Sequence, residues 1–188
     1  DARARRELSS ATAPPAAPGA GASLDAWLHY LETLHPLAMD FGLARVEAVR
    51  AALGLSLRCP VITVGGTNGK GSCVAVIEGL LLALGKRVGA YTSPHLCRYN
   101  ERVRIDGVDA EDEALVAGFA AVEAARGDTL LTYFEYGTLC ALWLFARASL
   151  DLVVLEVGLG GRLDAVNIVD ADVAVITTVD LDHQEWLG

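Results

Sequence analysis

The stretch VITVGGTNGKGS, residues 61–72, decides how the rest of the chain reads. An apolar, β-branched run (Val61, Ile62, Thr63, Val64) predicts a strand. Gly65, Gly66, Gly69 and Gly71 then allow close backbone approach to a ligand. Successive N–H groups in such a loop form an anion-binding nest that opens onto a helix N-terminus. Lys70 adds a point charge for the outer phosphates of a nucleotide, and Ser72 offers a hydroxyl to a magnesium ion. The spacing departs from G-x-x-x-x-G-K-[ST] twice. Val64 stands where the first glycine belongs, and Gly71 follows Lys70 where a hydroxyl is expected, with Ser72 one place later. The competing reading is a glycine-rich turn with a solvated lysine. A strand before and a helix after favour phosphate binding.

Working outward, strands and helices alternate. Apolar residues at helical spacing (Leu24, Trp27, Leu28, Leu31, Leu34) predict a helix over 24–34, N-capped by Ser23 and ended by Pro36. A second helix is expected over 43–53, closed by Gly54. Further helices are expected over 71–84, 109–125 and 138–148, the last apolar enough to be buried. Strands are expected over 59–64, 87–91, 102–105, 152–157 and 173–178. The last two read as continuous apolar runs, of the kind buried on both faces. This alternation predicts an α/β fold, a mostly parallel sheet flanked by helices. Ligands in such sheets bind at the strand C-terminal ends. The polar clusters obey that rule: GGTNGKGS, TSPH, Glu156 and the Asp180-Leu181-Asp182-His183 segment each follow or end a strand.

Composition sets the class. The chain has 188 residues, 53% hydrophobic, and a net charge of −9. That suits one domain with a real core. The acidic balance argues against a nucleic-acid partner. Cys59, Cys73, Cys97 and Cys140 are scattered without C-x-x-C spacing, so free thiols and a cytoplasmic setting are expected. The apolar runs are broken too soon to span a bilayer, so no membrane partner is expected. Residues 1–23 are rich in Ala, Pro and Gly and read as a disordered tail before a domain over 24–188. The start at Asp1 and the stop at Gly188 suggest a piece of a longer chain.

Three side chains outside the loop carry candidate chemistry. Glu156, in LVVLEVGLGG, is a carboxylate at a strand end: either a magnesium ligand or half of a buried salt bridge. Ser93, in TSPH, is either a second hydroxyl ligand or a turn residue before Pro94. His183, in DLDHQEWLG, is either a metal ligand or a structural histidine.

Six segments in this order resemble the folylpolyglutamate synthase/dihydrofolate synthase family, within the Mur-ligase group of ATP-dependent amide-forming ligases. They are GTNGKGS (66–72), YTSPHL (91–96), NERVRI (100–105), LTYFEYGTL (131–139), LEVGLGGRLDAVNIV (155–169) and LDHQEWLG (181–188). The resemblance implies a P-loop NTPase-like, Mur-ligase-type ATPase domain, incomplete at its C-terminal end, with a second α/β domain absent. It implies that Gly66, Thr67, Asn68, Gly69, Lys70, Gly71 and Ser72 hold ATP. Ser72, Ser93, Glu156 and His183 would hold Mg2+, and Lys70, Glu156 and His183 would be catalytic. Thr132, Tyr133, Phe134, Glu135, Leu163, Asp164 and Ala165 would line a pterin pocket, together with Met39, Asp40, Phe41 and Gly42. Phe134 would stack on the pterin and Asp164 bind its ring edge; core aromatic and helix-cap carboxylate are the plainer readings. The implied reaction joins L-glutamate to dihydropteroate and to folates through an acyl phosphate, in a monomer. The chain by itself is expected to have little or no turnover.

Other readings fit less of the sequence. A cell-wall Mur ligase is disfavoured by LTYFEYGT, and a GTPase by the lack of N-K-x-D. A methyltransferase reading of Glu156-Val157-Gly158-Leu159-Gly160 leaves the Lys70 loop unexplained. A non-catalytic nucleotide-binding module remains open for the chain as it stands.

Overall fold

The computed structural model describes residues 16–19, 21–35 and 42–181. Met39, Asp40, Phe41 and His183 therefore lie outside the described residues, as does most of the expected tail.

The helices are α1 (Leu24–Leu34), α2 (Ala44–Ala52), α3 (Lys70–Ala83), α4 (Asp112–Arg126) and α5 (Tyr133–Phe145). The strands are β1 (Val61–Gly65), β2 (Val88–Tyr91), β3 (Val103–Ile105), β4 (Val108–Asp109), β5 (Leu152–Glu156) and β6 (Val173–Ile176). They form a six-stranded sheet in the order β4-β3-β2-β5-β1-β6. The β2-β5-β1-β6 portion is parallel, while β3 and β4 add antiparallel. The expected α/β class and mostly parallel sheet are both present.

Side-chain alternation along the central strands splits the core into two layers. Val64, Val88, Ala90, Leu152 and Val154 pack with Val74 of α3 on one face. Val61, Tyr91, Val153 and Leu155 point to the other, where α1, α2, α4 and α5 cover them with residues such as Trp27, Phe119 and Leu139. Glu156 continues the Leu152-Val154 series, which brings it to the α3 face.

Several boundaries differ from expectation, each for a local reason. Helix α5 begins at Tyr133, not at 138, because Thr132 and Glu135 form a capping box that starts it earlier. Helix α4 begins at Asp112, because Val108–Asp109 turn back and pair with β3. Residues 99–102 form a 3-10 turn ahead of β3. The expectation that 173–178 is buried on both faces is corrected. Val173 is 51% exposed and Ile176 63%, because β6 is the edge of the sheet among the described residues. Of the cysteines, Cys140 is buried, Cys59 and Cys73 are half-buried and Cys97 is exposed; all are free thiols.

Candidate active site

The C-terminal ends of β1, β2, β5 and β6 carry the polar loops. The loop after β1 turns sharply at Gly69 (φ 82°), a left-handed conformation suited to glycine, and α3 begins at Lys70. The first turn, at Lys70, Gly71 and Ser72, leaves N–H groups without intrahelical partners. Two amides earlier in the loop are not available in the same way. Thr67 donates its N–H to Thr178 O at 2.6 Å, and Asn68 donates to Thr178 Oγ1 at 3.2 Å. Thr67 Oγ1 donates to Asp180 O at 3.1 Å and accepts the Asp180 N–H at 3.0 Å. The segment after β6 thus laces the loop in place. Gly66 is needed for this lacing, since a Cβ there would overlap Thr177 Oγ1. Lys70 Nζ donates to the carbonyls of Gly66 (2.8 Å) and Thr67 (3.2 Å).

Glu156 stands beside this helix start. Its carboxylate accepts the Ser93 N–H at 3.0 Å, and a Cβ on Gly71 would stand 3.6 Å from it. Burial raises the Glu156 pKa. The Ser93 amide and the charges of Lys70 and Arg104 pull the other way. No ion pair ties Glu156 among the described residues. Lys70 bonds the Gly66 and Thr67 carbonyls, and Arg104 is bound to Glu78 at 2.8 Å. The salt-bridge alternative for Glu156 is therefore not what the structure contains. Ser93 lies in the same turn, half-buried, and Ser72 is exposed.

On the opposite face of the sheet, Phe134 and Asp164 meet at Gly158. A Cβ on Gly158 would come 2.6 Å from Phe134 Cζ and 3.2 Å from Asp164 Oδ2. Asp164 caps a 3-10 turn (Ala165–Ile168) and accepts N–H groups from Leu159 (2.9 Å) and Val166 (3.1 Å). Burial pushes its pKa up to about 6 against those amides and, more weakly, Lys70. Phe134 stacks obliquely on Tyr91 with ring centroids 5.9 Å apart. Thr132 and Glu135 are spent on the cap of α5, and Glu135 also pairs with Arg45 at 2.7 Å. Tyr133 is half-buried beside Arg102, Leu163 is 48% exposed and Ala165 is buried. Gly42 sits just ahead of α2.

A cavity of about 480 Å3 opens beside the loop, bounded by Gly66, Lys70, Gly158, Arg162, Thr178 and Asp180. A larger recess of about 610 Å3, around Cys59, Pro60 and Asp172, lies at the opposite end of the strands and contains none of the candidate residues. The Lys70 charge acts on both Glu156 and Asp164. One lysine thus links the two halves of the rim.

The donor set fits a hard cation. Magnesium takes oxygen ligands, keeps several waters and needs only one or two protein carboxylates beside phosphate. A desolvated carboxylate and two nearby serines supply that. Among the described residues no three His, Cys, Asp or Glu side chains cluster as an all-protein metal cage. Sequence reasoning did not single out Thr178, Glu78, Arg102, Arg104 or His95. Both arginines lie in NERVRI, where alternation signalled only a strand.

No family model matches the chain. A curated relative, the dihydrofolate synthase/folylpolyglutamate synthase of Escherichia coli (strain K12), is 59% identical over 172 residues, 91% of this chain and 41% of the relative. A solved structure of E. coli FolC in complex with DHPP and ADP superposes with a TM-score of 0.89 at 59% identity, covering 91% of this chain and 42% of that one. The chain is a homologue of the dihydrofolate synthase/folylpolyglutamate synthases, matching their N-terminal portion. A further solved synthase, with Mn, AMPPNP and L-glutamate bound, gives a TM-score of 0.86 at 55% identity over 92% of this chain and 42% of its own. The chain thus spans about two fifths of the length of the synthases it matches. The Lys70 loop, the Ser93 turn and Glu156 fall within the matched fold, the Mur-ligase-type α/β architecture.

Proposed function

We propose that the protein to which this chain belongs is an ATP-dependent ligase that joins L-glutamate to dihydropteroate and to folates. The observation that carries this reading is the convergence of the Lys70 helix start, Glu156 and the Ser93 turn on one rim, with the Phe134–Gly158–Asp164 wall across the sheet edge. The names of its relatives support it: they are called dihydrofolate synthase/folylpolyglutamate synthase, with ADP, AMPPNP, Mn and L-glutamate among their ligands.

In this reading residues 24–188 form the ATP- and pterin-binding domain, and a second α/β domain completes the enzyme. Gly66 to Ser72 hold the ATP phosphates. The free N–H groups at Lys70, Gly71 and Ser72 and the Lys70 ammonium neutralise their charge. Ser72, Ser93, Glu156 and His183 hold magnesium, which supplies charge neutralisation and alignment for phosphoryl transfer. Lys70 leaves the Gly66 and Thr67 carbonyls to meet phosphate. Phe134, Asp164 and the 39–42 segment hold the pterin. The substrate carboxylate oxygen takes the γ-phosphoryl group from ATP, the β,γ-bridging P–O bond breaks, ADP leaves, and an acyl phosphate is formed. The amine of L-glutamate attacks the acyl carbon, phosphate leaves, and the amine gives up a proton as the amide forms. Positioning and charge drive these steps, so no protein nucleophile is required. The enzyme acts on small molecules, as a cytoplasmic monomer, without nucleic acid.

The test is a ligase assay on the intact protein with ATP, Mg2+, dihydropteroate and labelled glutamate. ATP-dependent appearance of labelled dihydrofolate supports the reading. Nucleotide binding without any amide product would leave a non-catalytic module.

A further inference from the structure

Arg102 is 91% buried, at 9% exposed, and has no carboxylate partner among the described residues. Its Nε donates to His95 Nδ1 at 2.8 Å. Its guanidinium carbon sits 5.3 Å from the Tyr99 ring centre and 5.5 Å from that of Tyr133. The two Nη groups make no hydrogen bond to any described residue. The contrast with nearby arginines is sharp. Arg104, two residues further on in β3, chelates Glu78, Arg45 pairs with Glu135, and Arg126 pairs with Glu123.

A buried cation without a counter-ion is costly, and folding ordinarily places a partner beside it. Here the fold spends two aromatic rings and a histidine on fixing the guanidinium plane. His95 is half-buried and accepts the Arg102 Nε–H at Nδ1, so it offers the guanidinium no carboxylate charge. What is left is a rigid fork of N–H donors, the geometry that suits a carboxylate held through two parallel bonds.

The position ties this fork to the rim. His95 follows two residues after Ser93, whose amide is bound to Glu156. Tyr133 precedes Phe134, whose ring lies against Gly158 and Tyr91. Phosphate charge is already served by Lys70 and the α3 N-terminus, so the ligand that fits an additional planar fork is a carboxylate.

We propose that Arg102 binds a carboxylate of the pteroyl or folyl substrate, as a substrate-binding residue of this site; the proposal rests on the folate-ligase reading above. Two sources share that chemistry: the benzoate carboxylate that becomes activated, and a glutamate-tail carboxylate of a folate.

The experiment uses the intact ligase, with R102Q and R102K, and measures equilibrium binding of dihydropteroate, its carboxamide analogue, a monoglutamyl folate and ATP. Wild type is expected to prefer dihydropteroate over the carboxamide by roughly tenfold or more, the scale of a charge-assisted pair. In R102Q that preference collapses, while carboxamide and ATP affinities stay within about twofold. R102K keeps the charge but not the fork, and is expected to lose most of the preference. Loss for the monoglutamyl folate alone assigns the tail carboxylate; loss for dihydropteroate assigns the benzoate carboxylate. Undiminished discrimination in R102Q together with unchanged affinity for the monoglutamyl folate overturns the proposal, as does an equal loss for all ligands, which is what a purely structural arginine would give. Wild type that binds no dihydropteroate overturns the ligase reading itself, and this inference with it.

Discussion

The Glu156 carboxylate accepts the backbone N–H of Ser93 at 3.0 Å, so the end of β5 and the turn after β2 are tied together at the start of α3. That bond orients a desolvated carboxylate without neutralising it. Glu156→Gln keeps an oxygen for the Ser93 amide but removes the charge. Mg2+-dependent ligase turnover is expected to fall on the order of 100-fold, the scale of removing one preorganised electrostatic group. The melting temperature should hold or rise, because a buried charge is gone. Because burial raises the Glu156 pKa, wild-type metal affinity should rise with pH through a window above the ordinary carboxylate range. A Mg2+ titration at several pH values, paired with thermal melts, checks both; unchanged turnover in the variant would remove Glu156 from the site.

Gly71 separates stability from binding. Its Cβ would meet the Glu156 carboxylate at 3.6 and 3.8 Å, an ordinary contact that the fold accommodates. Gly71→Ala should therefore fold, gaining up to about 1 kcal/mol from helix propensity. The added methyl fills the space between the helix start and Glu156. Nucleotide affinity is expected to drop roughly tenfold or more. Calorimetric titration with AMPPNP and Mg2+ reads this directly, and wild-type affinity would show that the gap is not used.

Gly158 is where the two walls close. A Cβ there would lie 2.6 Å from Phe134 Cζ and 2.8 Å from Cε2, so the ring must shift. Gly158→Ala is expected to cost about 1–3 kcal/mol of stability, as overpacking does. It should also raise KM for dihydropteroate far more than KM for ATP. Equal effects on both would argue that Phe134 is core packing alone.

Asp164 predicts a pH dependence of stability. Burial raises its pKa from 3.8 to about 6. The folded state therefore holds the proton in that window while the unfolded state releases it. Stability from this site is greatest at low pH and declines as pH rises through roughly 4 to 6, by at most about 3 kcal/mol. Asp164→Asn has no such proton. The stability difference, wild type minus variant, should fall across that window in denaturant melts. A flat difference would mean that the two amides on its oxygens offset its burial.

How much was legible in the sequence follows from distance along the chain. The strand-loop-helix reading of 61–72 rests on neighbouring residues, and the structure has it with the helix starting one residue early, at Lys70. Ser23 caps α1 as its position beside an apolar periodic run required. Helix α5 starts at Tyr133, ahead of its expected start at 138, because Thr132 and Glu135, residue types that also suit a binding site, form a T-x-x-E capping box. The plainer readings of Asp164 as a cap and Phe134 as a packed aromatic are present in the structure, alongside the rim position that the pterin reading needs.

The sequence by itself determined the α/β class, the strand-loop-helix form of residues 61–72 and the strand-end placement of Glu156, because each follows from local pattern. Tertiary structure decided the partners. Parallel pairing of β1 with β5 and β6 brings Glu156 to Gly71 and Thr178 to the loop amides. The β2–β3 hairpin hands Arg104 to Glu78 and leaves Arg102 between two rings without a carboxylate. Those pairings join residues as far apart as Asn68 and Thr178, 110 positions along the chain. Only the strand register fixes them, and register is set by which faces the whole sheet can bury.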